Sequence, residues 1–245
     1  MNLHVRTWGE GERIVLLHGS NVADPALTWG EQRELASRYQ LLVPDRRGHG
    51  ESADYEGPGF EVGIADVVAL LGDGAHLAGV SYGAIVAMLA AARRPDLVMS
   101  LTLIEPPAFH LVPDNPAVQA LTERLLPVYT ESDTPETFMR GFAAAFGGQM
   151  PENFQLPPAN RRAVATAMTE PAPWKADLDL ATLKACSFPK LVLSGGWHEA
   201  FEAVADCLAP AIGAARETIT GEGHGVQRTG RPFNERFEAL LASAK

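Results

Sequence analysis

The sequence predicts an α/β protein: a mostly parallel sheet with helices on both faces, broken by one inserted helical segment. Short apolar runs alternate with helically spaced stretches at both ends of the chain, as a sheet covered by helices requires. Between Pro106 and about Ser187 the texture changes, with frequent prolines and no β-branched runs. A Gly-x-Ser-x-Gly stretch falls where a strand pattern gives way to a helical one. With 245 residues, 46% of them apolar, there is material for one large core carrying an inserted subdomain.

Residues 3–8, 13–17 and 40–44 read as strands, the second closing on His18-Gly19 and the third leading into Asp45-Arg46-Arg47-Gly48-His49-Gly50-Glu51-Ser52. Residues 60–71 have helical spacing, and 75–79 form a strand that runs into Gly79-Val80-Ser81-Tyr82-Gly83. The alanine-rich stretch 84–93 is a buried helix that must stop before Pro95. Residues 98–104 make a strand with Glu105 at its end. Within the insertion, 117–129, 135–146 and 158–169 are helical. Strand patterns resume at 189–194 and 216–219, with helices at 200–208 and 232–242. The expected division is a core of 1–105 and 188–245, with 106–187 as a helical cap over its strand ends.

Composition narrows the function. Twenty Lys+Arg against 30 Asp+Glu give a formal charge of −10, with no basic stripe to track a phosphate backbone, so nucleic acid is not an expected partner. Cys186 and Cys207 are the only cysteines; they make no disulfide framework or zinc site, although one bridge between them stays open. No long uncharged apolar run and no secretion-type start are present, so the expectation is a cytoplasmic protein without a membrane segment, as a monomer or homodimer.

The chemistry centres on Ser81. Flanking glycines allow a sharp strand-to-helix turn that lifts the hydroxyl in front of a helix amino terminus, whose N–H groups favour developing negative charge. The pentapeptide alone also occurs as a mere glycine-rich turn. A serine hydroxyl needs a base, and histidine titrates near working pH. Of seven histidines, His224 stands after the last strand, in a Gly-Glu-Gly-His-Gly turn that exposes the ring. His18 and His49 are expected to shape their turns. The N–H of Ser20, or of Gly19, would join that of Tyr82 in holding an oxyanion.

His18-Gly19, the Asp45–Ser52 turn, Gly79-Val80-Ser81-Tyr82-Gly83 and Gly223-His224 resemble, in order and spacing, the motifs of the α/β-hydrolase superfamily. The resemblance spans nearly the whole chain outside the insertion. It implies an eight-stranded sheet, a cap between the sixth and seventh strands, and a Ser–acid–His triad that needs no metal or organic cofactor. The acid departs from the common pattern: where the family carries G-x-x-D, this chain has Gly195-Gly196-Trp197-His198-Glu199. Glu199 and Glu105 both compete. Glu105, between Ile104 and two prolines, would be costly to bury unpaired, and its strand-end position resembles that used by zearalenone-type lactonases. The catalytic set is therefore read as Ser81, His224 and Glu105.

The expected substrate is a small hydrophobic ester or lactone, lined by Trp29, Phe142, Phe146, Trp174, Trp197 and Val226. The same triad also serves C–C hydrolysis, lyase and haloperoxidase-like reactions, and the fold also serves silent small-molecule binders. A protein that only docks partners would leave Ser81, His224 and Glu105 unexplained. Dehalogenase and epoxide hydrolase chemistry is disfavoured, because both need a carboxylate at the position of Ser81.

Overall fold

A computed structural model describes residues 3–57 and 59–244. Seven strands form one sheet: β1 (Val5–Trp8), β2 (Glu12–Leu17), β3 (Tyr39–Pro44), β4 (Ala75–Val80), β5 (Val98–Ile104), β6 (Lys190–Ser194) and β7 (Ala215–Thr218), in the order β1-β3-β2-β4-β5-β6-β7. Only β1 runs antiparallel, against β3. The expected eight strands are seven among the described residues. β1 is an edge with β3 as its sole neighbour, and four strands precede the one that ends before Glu105, which is the fifth and not the sixth.

The alternation of side chains across the pleat splits the core into two layers. Val15 and Leu17 of β2 face one cluster, together with Leu77 and Leu101. Ile14 and Leu16 face the other, together with Val80 and Ile104. The first layer is closed by α2 (Glu61–Leu71), α3 (Tyr82–Arg93) and α8 (Glu199–Ile212), and the second by α9 (Arg231–Ser243). Burial on both faces explains why every residue of β4 and β6 is buried and why these strands read as unbroken runs rather than alternations.

A four-residue helix, α1 (Pro25–Thr28), follows β2. Between β5 and β6 lie α4 (Pro116–Glu131), α5 (Pro135–Ala145), α6 (Pro158–Thr169) and the short α7 (Leu180–Ala185). Their starts are written locally. Asn115 accepts from the amides of Ala117 and Val118, and Thr134 forms a reciprocal capping box with Thr137. Although it lies inside 106–187, α7 packs on α3 and α8 of the sheet's helical layer, with Leu183 fully buried there. Cys186 and Cys207 are both free thiols. No helix of the described residues is long and apolar enough to cross a membrane.

Candidate active site

The sheet brings three strand ends together. Ser81 sits between β4 and α3 at φ 55°, ψ −125°, a region that costs a side chain on the order of 1–3 kcal/mol and persists only when the surroundings enforce it. The enforcement is close backbone packing. A Cβ on Gly79 would lie 2.4 Å from the Gly83 carbonyl oxygen, and one on Gly83 would lie 2.5 Å from that of His18. The Ser81 amide donates to Ile104 O at 2.8 Å, which ties the turn to β5.

Glu105 is the second non-glycine residue with positive φ at a strand end, at 50°. It is fully buried. Its amide donates to Leu193 O at 2.9 Å, and the carboxylate takes three further hydrogen bonds. Gly195 N donates to Oε1 at 2.6 Å; Trp197 Nε1 donates to Oε2 at 2.9 Å; His224 Nδ1 lies 3.0 Å from Oε2. These donors take the place of the water shell that burial removes from the carboxylate. Glu199 is exposed in the first turn of α8 and takes no part.

The irregular Gly195–Glu199 run thereby acquires a physical account. His198, standing where an aspartate was expected, caps α8 by accepting from Ala200 N at 3.1 Å. Gly195 and Trp197 serve as donors to the acid of the neighbouring strand. The donor roles of Gly195 and Trp197 have no local signal, since they depend on β5 and β6 being adjacent.

Ser81 and His224 face the same space, and no hydrogen bond joins the Ser81 hydroxyl to the imidazole among the described residues. An apolar cavity of about 250 Å³ is bounded by Ser81, His224, Phe142, Phe146, Trp174 and Trp197. Phe201 lies with its ring 4.8 Å from that of His224 and stacks on Trp197 at 5.8 Å. Sequence reading missed Phe201; its signal is the helical spacing of Phe201, Val204, Ala205 and Leu208 on the apolar face of α8. Two expected lining residues are instead core. Trp29 and Val226 are fully inaccessible, packed with Phe233 and Phe237 on the α9 face of the sheet. Both are apolar residues whose side chains the chain trace turns away from the strand ends, and neither borders this cavity.

Ser20 and Tyr82 also line it. Among the described residues neither amide has a protein acceptor: Tyr82 opens α3, where the first N–H groups have no intrahelical partner. Adjacency of β2 and β4 brings Ser20 to Ser81, with Leu17 opposite Gly79 in the register.

The Asp45–Ser52 turn is a scaffold. Buried Asp45 accepts from His4 Nδ1 and from Glu51 N, each at 2.9 Å, and Ser52 Oγ accepts from His4 N at 2.8 Å. Arg47 holds Asp66 of α2 through two bonds. Arg46 donates to Gly19 O at 3.2 Å, sits 4.4 Å over the Tyr82 ring, and pairs with buried Glu170 beyond α6. Burial pushes Glu170 up, against the opposing pull of Arg46. His18 and His49 stack edge-on at 4.7 Å. Burial drives His18 well below its ordinary value and His49 to about 3, so both stay neutral, as turn-shaping residues should.

With the site in view, comparison with known proteins is decisive about family. A model described as the alpha/beta hydrolase family matches residues 14–237. The chain belongs to the alpha/beta hydrolase family. It is 32% identical over 127 residues to a pimeloyl-[acyl-carrier protein] methyl ester esterase of Methylococcus capsulatus, covering 50% of this chain and 48% of that protein. It is 32% identical over 161 residues to an N-formylmaleamate deformylase of Pseudomonas putida, covering 60% and 56%. The chain spans from 30% to 56% of the length of the curated relatives set beside it. An alpha/beta hydrolase from Sphaerobacter thermophilus superposes on this alpha/beta hydrolase with a TM-score of 0.71, 25% identity, and 96% of each chain covered.

Proposed function

We propose that this alpha/beta hydrolase is a serine hydrolase that cleaves a carboxylic ester or lactone of a small hydrophobic molecule. The observation that carries the reading is the 3.0 Å contact between His224 Nδ1 and the buried carboxylate of Glu105, beside a serine forced into positive φ. An acceptor on Nδ1 fixes the proton there, leaves Nε2 free to take the Ser81 proton, and stabilises the imidazolium that results. Ser81 then attacks the acyl carbon. The amides of Ser20 and Tyr82 hold the oxyanion, each worth on the order of 3 kcal/mol in the transition state. Collapse breaks the acyl C–O bond, and the leaving oxygen takes its proton from His224. Water activated by the same histidine hydrolyses the acyl-enzyme.

The apolar cavity supports a hydrophobic acyl part, and α4 to α6 serve as the lid that excludes water from it. In this reading the lid is narrower than 106–187, because α7 belongs with the core. The test is Ser81→Ala, measured on p-nitrophenyl butyrate and with a fluorophosphonate label. Turnover and labelling should vanish while the circular dichroism is unchanged; retained turnover would sink the proposal.

A further inference from the structure

We infer that the open side of the site is a subsite for a leaving group that carries a carboxylate, with Arg228 as its anchor. The inference rests on Ser81 being the nucleophile. An ester straddling Ser81 has two halves, and two cavities meet at Ser81 and His224 to receive them. One is the apolar cavity under α5. The other, about 480 Å³, has Ser20, Asn21, Asp24, Thr28, Asn160 and Arg228 on its wall.

The charge on that second wall is one-sided. Asp24 is already committed: its Oδ1 accepts from Arg6 Nη1 at 2.9 Å and from Ala26 N at 3.1 Å, capping α1. Arg228 has no carboxylate partner among the described residues, whereas its chain neighbours Arg231 and Arg236 pair with Glu235 and Glu217. The exposed guanidinium lies over Gly225, the residue next to His224: Arg228 N donates to Gly225 O at 2.7 Å, and a Cβ on Gly225 would stand 2.3 Å from Nε and 2.6 Å from Nη2.

In a chain of formal charge −10, one uncompensated arginine makes the cleft locally attractive to an anion that the rest of the surface repels. The substrate class is then an ester or lactone with an apolar acyl part and a polar leaving component that bears a carboxylate. Hydrolysis of such an ester gives a carboxylic acid and a hydroxy acid; hydrolysis of such a lactone gives a single hydroxy diacid.

The test compares kcat/KM for the butyryl ester of 3-hydroxybenzoic acid with that for the butyryl ester of methyl 3-hydroxybenzoate. These share an acyl group and differ in leaving-group charge. In Arg228→Gln the charged-to-neutral ratio should fall about tenfold, the size of a charge-assisted hydrogen bond. Arg236→Gln should leave the ratio alone, and added salt should lower it in the unsubstituted protein. An unchanged ratio in a folded Arg228→Gln variant overturns the subsite and leaves the serine hydrolase reading standing. Turnover of neither ester, with no fluorophosphonate labelling of Ser81, overturns both.

Discussion

The strand ends and the helices above them hold their parts of the site by different means. At the strand ends, Ser81 and Glu105 are fixed by backbone: positive φ, glycines in near contact with carbonyls, and buried hydrogen bonds from β5 and β6. In the segment between β5 and β6, the rings of Phe142 and Phe146, on and at the end of α5, are placed by ring packing, 5.2 Å apart, with Phe146 against the strand-end residue Trp197. Backbone constraint places atoms to within a few tenths of an ångström, whereas ring packing sets only size and shape. Changes at the strand ends should therefore stop turnover or unfold the protein, and changes in the helices should redistribute preference among substrates.

The largest expected effect separates the two acids. Glu105→Gln should lower kcat on p-nitrophenyl butyrate by about 10²–10⁴, since an amide cannot stabilise the imidazolium, while Glu199→Gln should change it less than twofold. The reverse pattern would move the acid into α8. Next comes Gly83→Ala, whose methyl group would meet the His18 and Leu17 carbonyls at 2.5 and 2.6 Å. A loss of about 3 kcal/mol in urea unfolding is expected, near the upper end for overpacking. A loss under 0.5 kcal/mol would mean that the turn has slack.

The Asp45–Ser52 turn sharpens the comparison through pH. Burial lowers His49 in the fold, so between pH 6.5 and about 3 the unfolded chain binds a proton that the folded one refuses. Stability must fall as pH drops through this window, by about 1.4 kcal/mol per pH unit for this one group. His49→Gln should flatten that slope by the same amount in urea titrations at pH 6.5 and 4.5; an identical slope would refute the assignment. The smallest effect belongs to the helices. Phe146→Ala should raise KM for short acyl esters several-fold and favour longer ones, with kcat nearly constant. A collapse of kcat would instead give this ring a part in placing Trp197 and His224.

Much of the fold was legible because its signals are local. Strand and helix boundaries follow apolar period, prolines and caps, and 98–104 and 158–169 were read to the residue. Ser81 and His224 were legible because the glycines around them reveal the turns they occupy. Of two candidate acids, Glu105 was preferred to Glu199 because it closes a strong strand pattern, where an unpaired charge would be costly to bury. Trp29 and Val226 were misjudged because apolar composition does not tell which side of a turn a side chain leaves.

By itself the sequence determined the order of strands and helices and the turns that carry Ser81 and His224, since these depend on backbone propensities within a few residues. Tertiary structure alone placed the Glu105 carboxylate 3.0 Å from His224 Nδ1 and made Trp197 and Gly195 its donors. Each of these joins strand ends or loops whose neighbours are set by the β4-β5-β6 order and by side-chain direction, which no local pattern records.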